Sequence, residues 1–216
     1  MPAPSLPATV TVVDHPLVRV KLARLRDERT SPADFRTNAR ELSALLAFAA
    51  TSDLSTIAEK IRTPLAECEG VRLARPLVIA PILRAGLGIA EGILPFFSEA
   101  GVAHIGMRRD EKTHLPECYY FNAPANLAEA DVIVVDPMLA TGHSAGESIA
   151  KLKAAGAQHI RFLCFLSAPE GIAYLTAAHP DVPVFTAAVD VRLDERAYIV
   201  PGLGDAGDRY FGTVPT

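Results

Sequence analysis

The sequence predicts an α/β fold in which helices flank a central, mostly parallel sheet, preceded by a helical N-terminal segment. Three observations lead to this prediction. From residue 76 onward, short apolar runs alternate with amphipathic segments of helical length, as in βαβ units. The first 70 residues instead repeat apolar side chains at helical spacing. Half of the 216 residues are hydrophobic and 21% are charged, which is ordinary for a globular protein.

The predicted elements follow one another without an evident linker. Strands are expected over residues 77–83, 131–135, 160–166 and 182–189, and helices over residues 86–97, 144–155 and 170–178. Near the N-terminus, Ser31, Pro32 and Asp34 are typical of a helix start. Residues 108–121 and 201–212 interrupt the alternation and are interpreted as long loops. The whole chain, residues 1–216, is predicted to be a single domain.

Composition and charge argue against several classes of protein. The net charge is -4, so we expect no nucleic acid as a partner. Cys68, Cys118 and Cys164 lie far apart and form no metal-binding or disulfide pattern. The apolar run at residues 77–83 is too short to span a bilayer, and no signal peptide is evident. We therefore expect a soluble, cytoplasmic protein that does not bind membranes.

The most informative segment is the turn between the strand ending at Val135 and the helix that follows. Amides at a helix N-terminus suit a phosphate group, and Thr141 and Ser144 add hydroxyl donors. Asp136 stands at the carboxyl end of the strand, where an acid can accept hydrogen bonds from the hydroxyl groups of a ribose. The turn is not a Walker loop, because the required spacing and lysine are missing. For the turn alone, an ordinary βα connection capped by Ser144 is the competing interpretation. The residues of the turn are Asp136, Pro137, Met138, Leu139, Ala140, Thr141, Gly142, His143 and Ser144.

This turn resembles the phosphoribosyl diphosphate loop of the uracil phosphoribosyltransferases, a group of type I phosphoribosyltransferases that begin the loop with Asp-Pro rather than two acids. Three further segments match this family in the same order along the chain. Residues 81–86 resemble its diphosphate-contacting loop, Arg109 lies in a match to the start of its flexible active-site loop, and residues 198–209 resemble its uracil-recognition segment. One residue departs from the pattern, because the family usually has glycine where this chain has His143.

The resemblance implies transfer of the phosphoribosyl group of 5-phospho-α-D-ribose 1-diphosphate to uracil, giving UMP and diphosphate. It implies that residues 136–144 bind this donor together with Arg84, Arg109 and Asp205, and that Arg109 and Asp205 are catalytic. The resemblance also implies a C-terminal base-recognition arm that binds uracil through Ile199, Gly204, Asp205 and Ala206.

The resemblance also implies a cofactor and partners. Mg²⁺ is expected to arrive on the diphosphate, so no dedicated metal site is predicted. Relatives in the family form dimers or larger homo-oligomers, and some respond to GTP, so both properties are expected here.

Three alternatives compete with uracil transfer. The chain could act on orotate or a purine, but orotate carries a carboxylate that only Arg209 could receive within residues 199–209. It could be an RNA-binding pyrimidine regulator on the same fold, which the negative net charge disfavours. It could also be a relative without catalytic activity, for which His143 is the single indication.

Overall fold

The computed structural model describes residues 6–109 and 116–213 of the chain. The helices are α1 (Pro16–Arg26), α2 (Pro32–Ala50), α3 (Gly86–Ile93), α4 (His143–Ala154), α5 (Pro169–Ala178) and α6 (Ala206–Phe211), with 3-10 turns at Leu94–Phe96 and Leu127–Glu129. The strands are β1 (Val10–Val12), β2 (Thr56–Arg62), β3 (Glu67–Leu73), β4 (Leu77–Leu83), β5 (Gly101–Val102), β6 (His104–Arg109), β7 (Pro116–Asn122), β8 (Asp131–Val135), β9 (Met138–Leu139), β10 (His159–Ser167), β11 (Val184–Val189), β12 (Arg192–Leu193) and β13 (Ile199–Val200).

The main sheet has the strand order β1-β11-β10-β8-β4-β6-β7. Neighbouring strands along this path are parallel except for β6 and β7, so the predicted mostly parallel sheet is confirmed. The chain runs outward from β4 to β6 and β7, then returns to β8 on the other side of β4. In open α/β sheets such a switch point is where ligands bind, beyond the carboxyl ends of the strands. Here those ends lead into Arg84 and Asp136.

Both faces of the sheet are buried, and β8 shows how its side chains divide between them. Ile133 and Val135 pack in the cluster that contains residues of α1, α2 and α3, whereas Val132 and Val134 pack in the cluster that contains residues of α4 and α5. Successive side chains of a strand point to opposite faces, so a strand buried on both faces is mostly apolar. The strand predictions are accurate here because β4 is apolar throughout and β8 is apolar after its first residue, Asp131, whose buried carboxylate lies 3.7 Å from Arg75 Nη1.

The prediction of a helical N-terminal segment is correct for α1 and α2 but wrong for β1, β2 and β3. Strands β2 and β3 form an antiparallel hairpin. Its turn is closed by the Thr63 amide, which donates to the Ala66 carbonyl at 2.9 Å, and the Thr63 hydroxyl accepts the amide of Leu65 at 3.2 Å. Every residue of β2 is exposed, so the hairpin has no apolar periodicity that would mark its strands in the sequence.

The two predicted loops are also partly wrong. Residues Pro116–Asn122 form β7, which pairs with β6 at the edge of the main sheet; residues 110–115 lie outside the described part of the chain. None of the residues of β7 is fully buried, so its sequence lacks the apolar run of an interior strand. Within residues 201–212, Ala206–Phe211 forms the short helix α6.

Among the described residues, every helix falls short of the length and hydropathy that spanning a bilayer requires.

Candidate active site

Two recesses lie side by side at the switch point of the sheet. The first, of about 200 Å³, separates the turn after β8 from the C-terminal segment. The second, of about 410 Å³, lies beyond the end of β4. Both are lined by Ala85, Asp205 and Gly207, so Asp205 borders both. A wider recess of about 550 Å³ lies between the end of α1 and the start of α2, and its lining contains none of the predicted site residues.

The turn after β8 is held against the sheet through its carbonyl groups. The Pro137 carbonyl accepts the amides of Phe165 and Leu166 at 3.0 and 3.1 Å, and the Leu139 carbonyl accepts the amide of Ala168 at 2.9 Å. Strand β9 thereby adds to β10 in parallel. The first amides of α4 have no acceptor within their own helix, so they are available to an anion such as a phosphate group.

Gly142 turns the chain into α4. Its φ is +84°, and a side chain there would bring Cβ to 2.8 Å from the Gly171 carbonyl oxygen, so glycine is required at this position. His143 is the first residue of α4, in the helical conformation that histidine adopts readily. Its exposed ring packs edge-on against Tyr174, with ring centroids 4.4 Å apart. The departure at His143 therefore leaves the backbone of the turn intact.

The turn and the C-terminal segment face each other across the smaller recess. All four predicted uracil-binding residues and part of the predicted donor-binding residues converge there. From the turn these are Asp136, Pro137, Met138 and Ala140, and from the C-terminal segment Ile199, Gly204, Asp205 and Ala206. Leu139 is 1% exposed and packs in the core, so it can contact a ligand only through its backbone. Thr141, Gly142, His143 and Ser144 continue the turn into α4 and do not line the recess.

Two carboxyl groups, those of Asp136 and Asp205, line the recess. Burial raises the pKa of Asp136 to about 7, and the charge of Asp205 adds to the rise. A hydrogen bond from the Met138 amide, 3.5 Å from Asp136 Oδ1, opposes it. Asp205 is also the N-cap of α6, where its Oδ1 accepts the Asp208 amide at 2.8 Å. Asp205 Oδ1 is thus engaged in capping α6, which leaves Oδ2 for a ligand.

The larger recess carries the basic side chains of the site. Arg84 is exposed and lies directly after β4, next to a cis peptide bond with Leu83. Sequence analysis did not single out Arg108 or Tyr119, which line the same recess. The Arg108 Nε donates to Glu117 Oε2 at 2.8 Å across the β6–β7 pair. Side chains of a strand alternate between the two faces of the sheet, so recognising β7 as the partner of β6 could have indicated which of their side chains face the recess.

Comparison with known proteins identifies the family to which this site belongs. The family model described as uracil phosphoribosyltransferase matches residues 12–213. The chain belongs to the uracil phosphoribosyltransferase family. Relatives named uracil phosphoribosyltransferase from Rhizobium etli (strain CIAT 652) and Brucella anthropi are each 56% identical over 205 residues, covering 94% of this chain and 98% and 99% of theirs.

Solved structures share the fold of this chain. The AQ2163 protein from Aquifex aeolicus superposes with a TM-score of 0.90 at 31% identity, over 96% of this chain and 100% of that one. An APRTase from Giardia lamblia, complexed with 9-deazaadenine, has a TM-score of 0.50 at 12% identity, over 76% of this chain and 83% of that one. At that identity the second match concerns the fold alone, and it agrees with the type I phosphoribosyltransferase architecture predicted from the sequence.

The segments that resemble the uracil phosphoribosyltransferase family come from distant parts of the chain and meet at one sheet edge. Arg84 follows β4, Asp136 follows β8, and Asp205 caps α6. Arg109 is the last residue of β6, and its side chain lies outside the described part of the chain, so its predicted role stays a prediction. Tyr174 of α5 supports Gly142 and His143 from outside the matched segments, and no feature of the sequence indicated it.

The raised pKa of Asp136 predicts an unusual pH dependence of stability. Because the folded state holds this proton more tightly than the unfolded state, Asp136 stabilises the fold most below about pH 4, and this contribution is lost as the pH rises through about 7. We expect Asp136→Asn to be more stable than wild type at about pH 8.5, by on the order of 2 kcal/mol, and to lose most of this advantage near pH 5.

Urea unfolding at both pH values measures the effect, with Asp181→Asn as a matched control. Asp181 lies 2.7 Å from Lys153 Nζ, a contact that lowers its pKa, so its substitution should give no gain at alkaline pH. An Asp136→Asn protein whose stability relative to wild type does not change with pH would contradict this account of the Asp136 carboxyl.

Proposed function

We propose that this member of the uracil phosphoribosyltransferase family transfers the phosphoribosyl group of 5-phospho-α-D-ribose 1-diphosphate to uracil, forming UMP and diphosphate. One observation carries the proposal: the turn that precedes α4 and the C-terminal segment line the same recess, and Asp205 also borders the recess of Arg84. A donor bound across both would have its ribose near Asp136 and Asp205 and its diphosphate near Arg84, and its 5′-phosphate would extend past the smaller recess to the amides at the start of α4.

The lining of the smaller recess favours uracil over a charged base. Within the described residues, this lining contains no Lys or Arg. Arg209, which sequence analysis considered as a receptor for the orotate carboxylate, binds backbone carbonyls outside this lining. It donates to the carbonyls of Leu25, Leu203 and Asp27, and its guanidinium lies 4.6 Å from the centre of the Phe35 ring. A neutral base that binds through carbonyl and N–H groups therefore fits better than orotate.

In the proposed reaction the bond between ribose C1 and the diphosphate oxygen breaks, and a bond forms between C1 and uracil N1, which loses its proton. Negative charge accumulates on the leaving diphosphate, and the guanidinium of Arg84 would stabilise it through paired hydrogen bonds. Positive charge develops on the ribose, next to the carboxyl groups of Asp136 and Asp205. These carboxyl groups would also accept hydrogen bonds from the ribose hydroxyl groups and so hold C1 facing the base.

Mg²⁺ fits this site as a companion of the diphosphate. The described residues contain no group of three or more His, Cys, Asp or Glu side chains able to cage a metal ion. Mg²⁺ usually keeps several waters and binds through substrate phosphates with one or two carboxylates, for which Asp136 and Asp205 are the candidates here. When bound, it would neutralise part of the diphosphate charge.

Homo-oligomerisation also forms part of the proposal, as expected for this family. The support comes from the β2–β3 hairpin, an isolated two-stranded unit with apolar side chains on its surface, since such hairpins are marginally stable alone. The exposed apolar residues of the hairpin region are Ile57, Ile61, Leu65 and Val71. Activation by GTP and a cytoplasmic location stay predictions from the family resemblance.

The proposal predicts selective use of uracil. Purified protein incubated with 5-phospho-α-D-ribose 1-diphosphate and Mg²⁺ should release diphosphate and form UMP with uracil, and should react far more slowly with orotate, cytosine or hypoxanthine. Product formation is measured by chromatography of the nucleotide. Preference for orotate or hypoxanthine would contradict the assignment of the base.

Asp205 is predicted to matter more for turnover than for stability. Asparagine caps helices as well as aspartate does, so Asp205→Asn should keep the α6 cap and change the free energy of unfolding by no more than roughly 0.5 kcal/mol. Turnover should fall on the order of a hundredfold, because the charge beside the ribose is lost. Asp205→Ala should lose the cap as well, at a cost of about 1 kcal/mol. Steady-state kinetics and urea unfolding compare the two, and near wild-type turnover of Asp205→Asn would exclude Asp205 from the mechanism.

His143 is predicted to be compatible with activity. Because Gly142 carries the left-handed conformation and His143 is already helical, His143→Gly should change KM for the phosphoribosyl donor by less than about tenfold, equivalent to about 1.4 kcal/mol. Kinetics of both proteins at two pH values check this. An inert wild type beside an active His143→Gly variant would instead indicate that His143 blocks the phosphate site.

A further inference from the structure

The C-terminal segment that lines the smaller recess has little structure of its own. Strand β13 has two residues and, within the described part of the chain, pairs with the two-residue strand β12 alone; α6 has six residues. Elements this short do not fix their own position, so the distance between the segment and the turn after β8 must be set by contacts with the rest of the protein.

The first of these contacts is an ion pair between Arg26 and Asp190. Arg26 is the last residue of α1, and Asp190 directly follows β11. The guanidinium donates to both carboxylate oxygens, from Nη1 to Oδ2 at 2.7 Å and from Nη2 to Oδ1 at 2.6 Å. The Asp190 side chain is 6% exposed. Two parallel hydrogen bonds fix the relative orientation of both groups as well as their separation.

The same pair holds both polar groups of the Gly202 backbone. The Gly202 amide donates to Asp190 Oδ2 at 2.8 Å, and the Gly202 carbonyl accepts from Arg26 Nη1 at 2.8 Å. Gly202 has a φ of +63°, and a Cβ on it would lie 2.1 Å from the Ile199 carbonyl oxygen. The segment is therefore clamped at a tight turn between Ile199 and Gly204, two residues that line the recess.

The turn after β8 is held by different bonds, from Pro137 and Leu139 to the strand β10 and the residue that follows it. The ion pair therefore fixes one wall of the recess, and the sheet fixes the other. Weakening the ion pair should displace the wall that faces the base while leaving the start of α4 in place.

We propose that Arg26 and Asp190 are positioning residues for the base: their ion pair, through Gly202, sets the spacing of the base-facing wall from the turn after β8. This inference rests on the proposed function. A lysine at position 26 keeps the charge but loses the fork of two hydrogen bonds, so it cannot hold Asp190 and Gly202 together. An asparagine at position 190 keeps an acceptor for Gly202 but loses the charge.

The test compares Arg26→Lys and Asp190→Asn with wild type in UMP formation. Each is expected to raise KM for uracil roughly tenfold, since small displacements of a binding wall are costly. KM for the phosphoribosyl donor should rise by a clearly smaller factor, because Asp205 is the one donor-binding residue of this wall, whereas the start of α4 and Arg84 are held by other contacts. The double variant should be no worse than the more affected single variant, because both changes break the same unit.

Arg161→Lys is the matched control. Arg161 is also a mostly buried arginine, paired with Asp53 at 2.6 Å, but it lies near the start of β10 at the opposite end of the sheet. It should leave both KM values unchanged, and circular dichroism should show all variants folded. A purely structural role of the ion pair would change KM for both substrates alike, or unfold both variants, and either result would overturn the inference.

The two proposals fail in different ways. A wild-type protein that forms no UMP contradicts the proposed function. A wild-type protein that forms UMP, beside an Arg26→Lys variant with an unchanged KM for uracil, contradicts the positioning role alone.

Discussion

Burial of the central strands on both faces is the constraint on which the rest of the structure depends. β8 is buried at all five of its positions, and six of the seven residues of β4 are buried. Strands in this situation need helices on both sides, and the crossover connections that supply them bring successive carboxyl ends to one edge of the sheet. An unpaired polar group is costly along such strands, and the buried Asp131 of β8 is paired with Arg75. Arg84 and Asp136 instead stand just beyond the strand ends.

The carboxyl ends of the strands thereby bring together two acidic side chains that repel each other in the free protein. Asp136 and Asp205 face a common recess, and burial together with mutual repulsion favours protonation of Asp136 near neutral pH. Such an arrangement costs stability and is typical of functional sites. It is suited to a ligand that brings hydroxyl donors and developing positive charge, as a reacting ribose does.

The two walls of the recess are built by different physical means. The turn after β8 extends the sheet through β9 and continues into α4, a helix of twelve residues. The opposite wall depends on side-chain contacts with the end of α1, chiefly Arg26 with Asp190 and Arg209 with the carbonyls of Leu25 and Asp27. α1 thus connects the N-terminal part of the chain to the base-facing wall, although its sequence reads as an ordinary amphipathic helix.

The sequence by itself determined the buried strands, the helices between them and the turn at residues 136–144, because unbroken apolar runs and helical spacing are local signals that burial on two faces imposes. It did not indicate the β2–β3 hairpin or β7, whose exposed side chains follow no apolar period. Only the tertiary structure decided that Asp205 faces Asp136, that Arg209 is turned away from the base, and that Tyr174 supports His143. These contacts join residues far apart in the chain, and they arise from the packing of whole elements, which no local pattern of residues encodes.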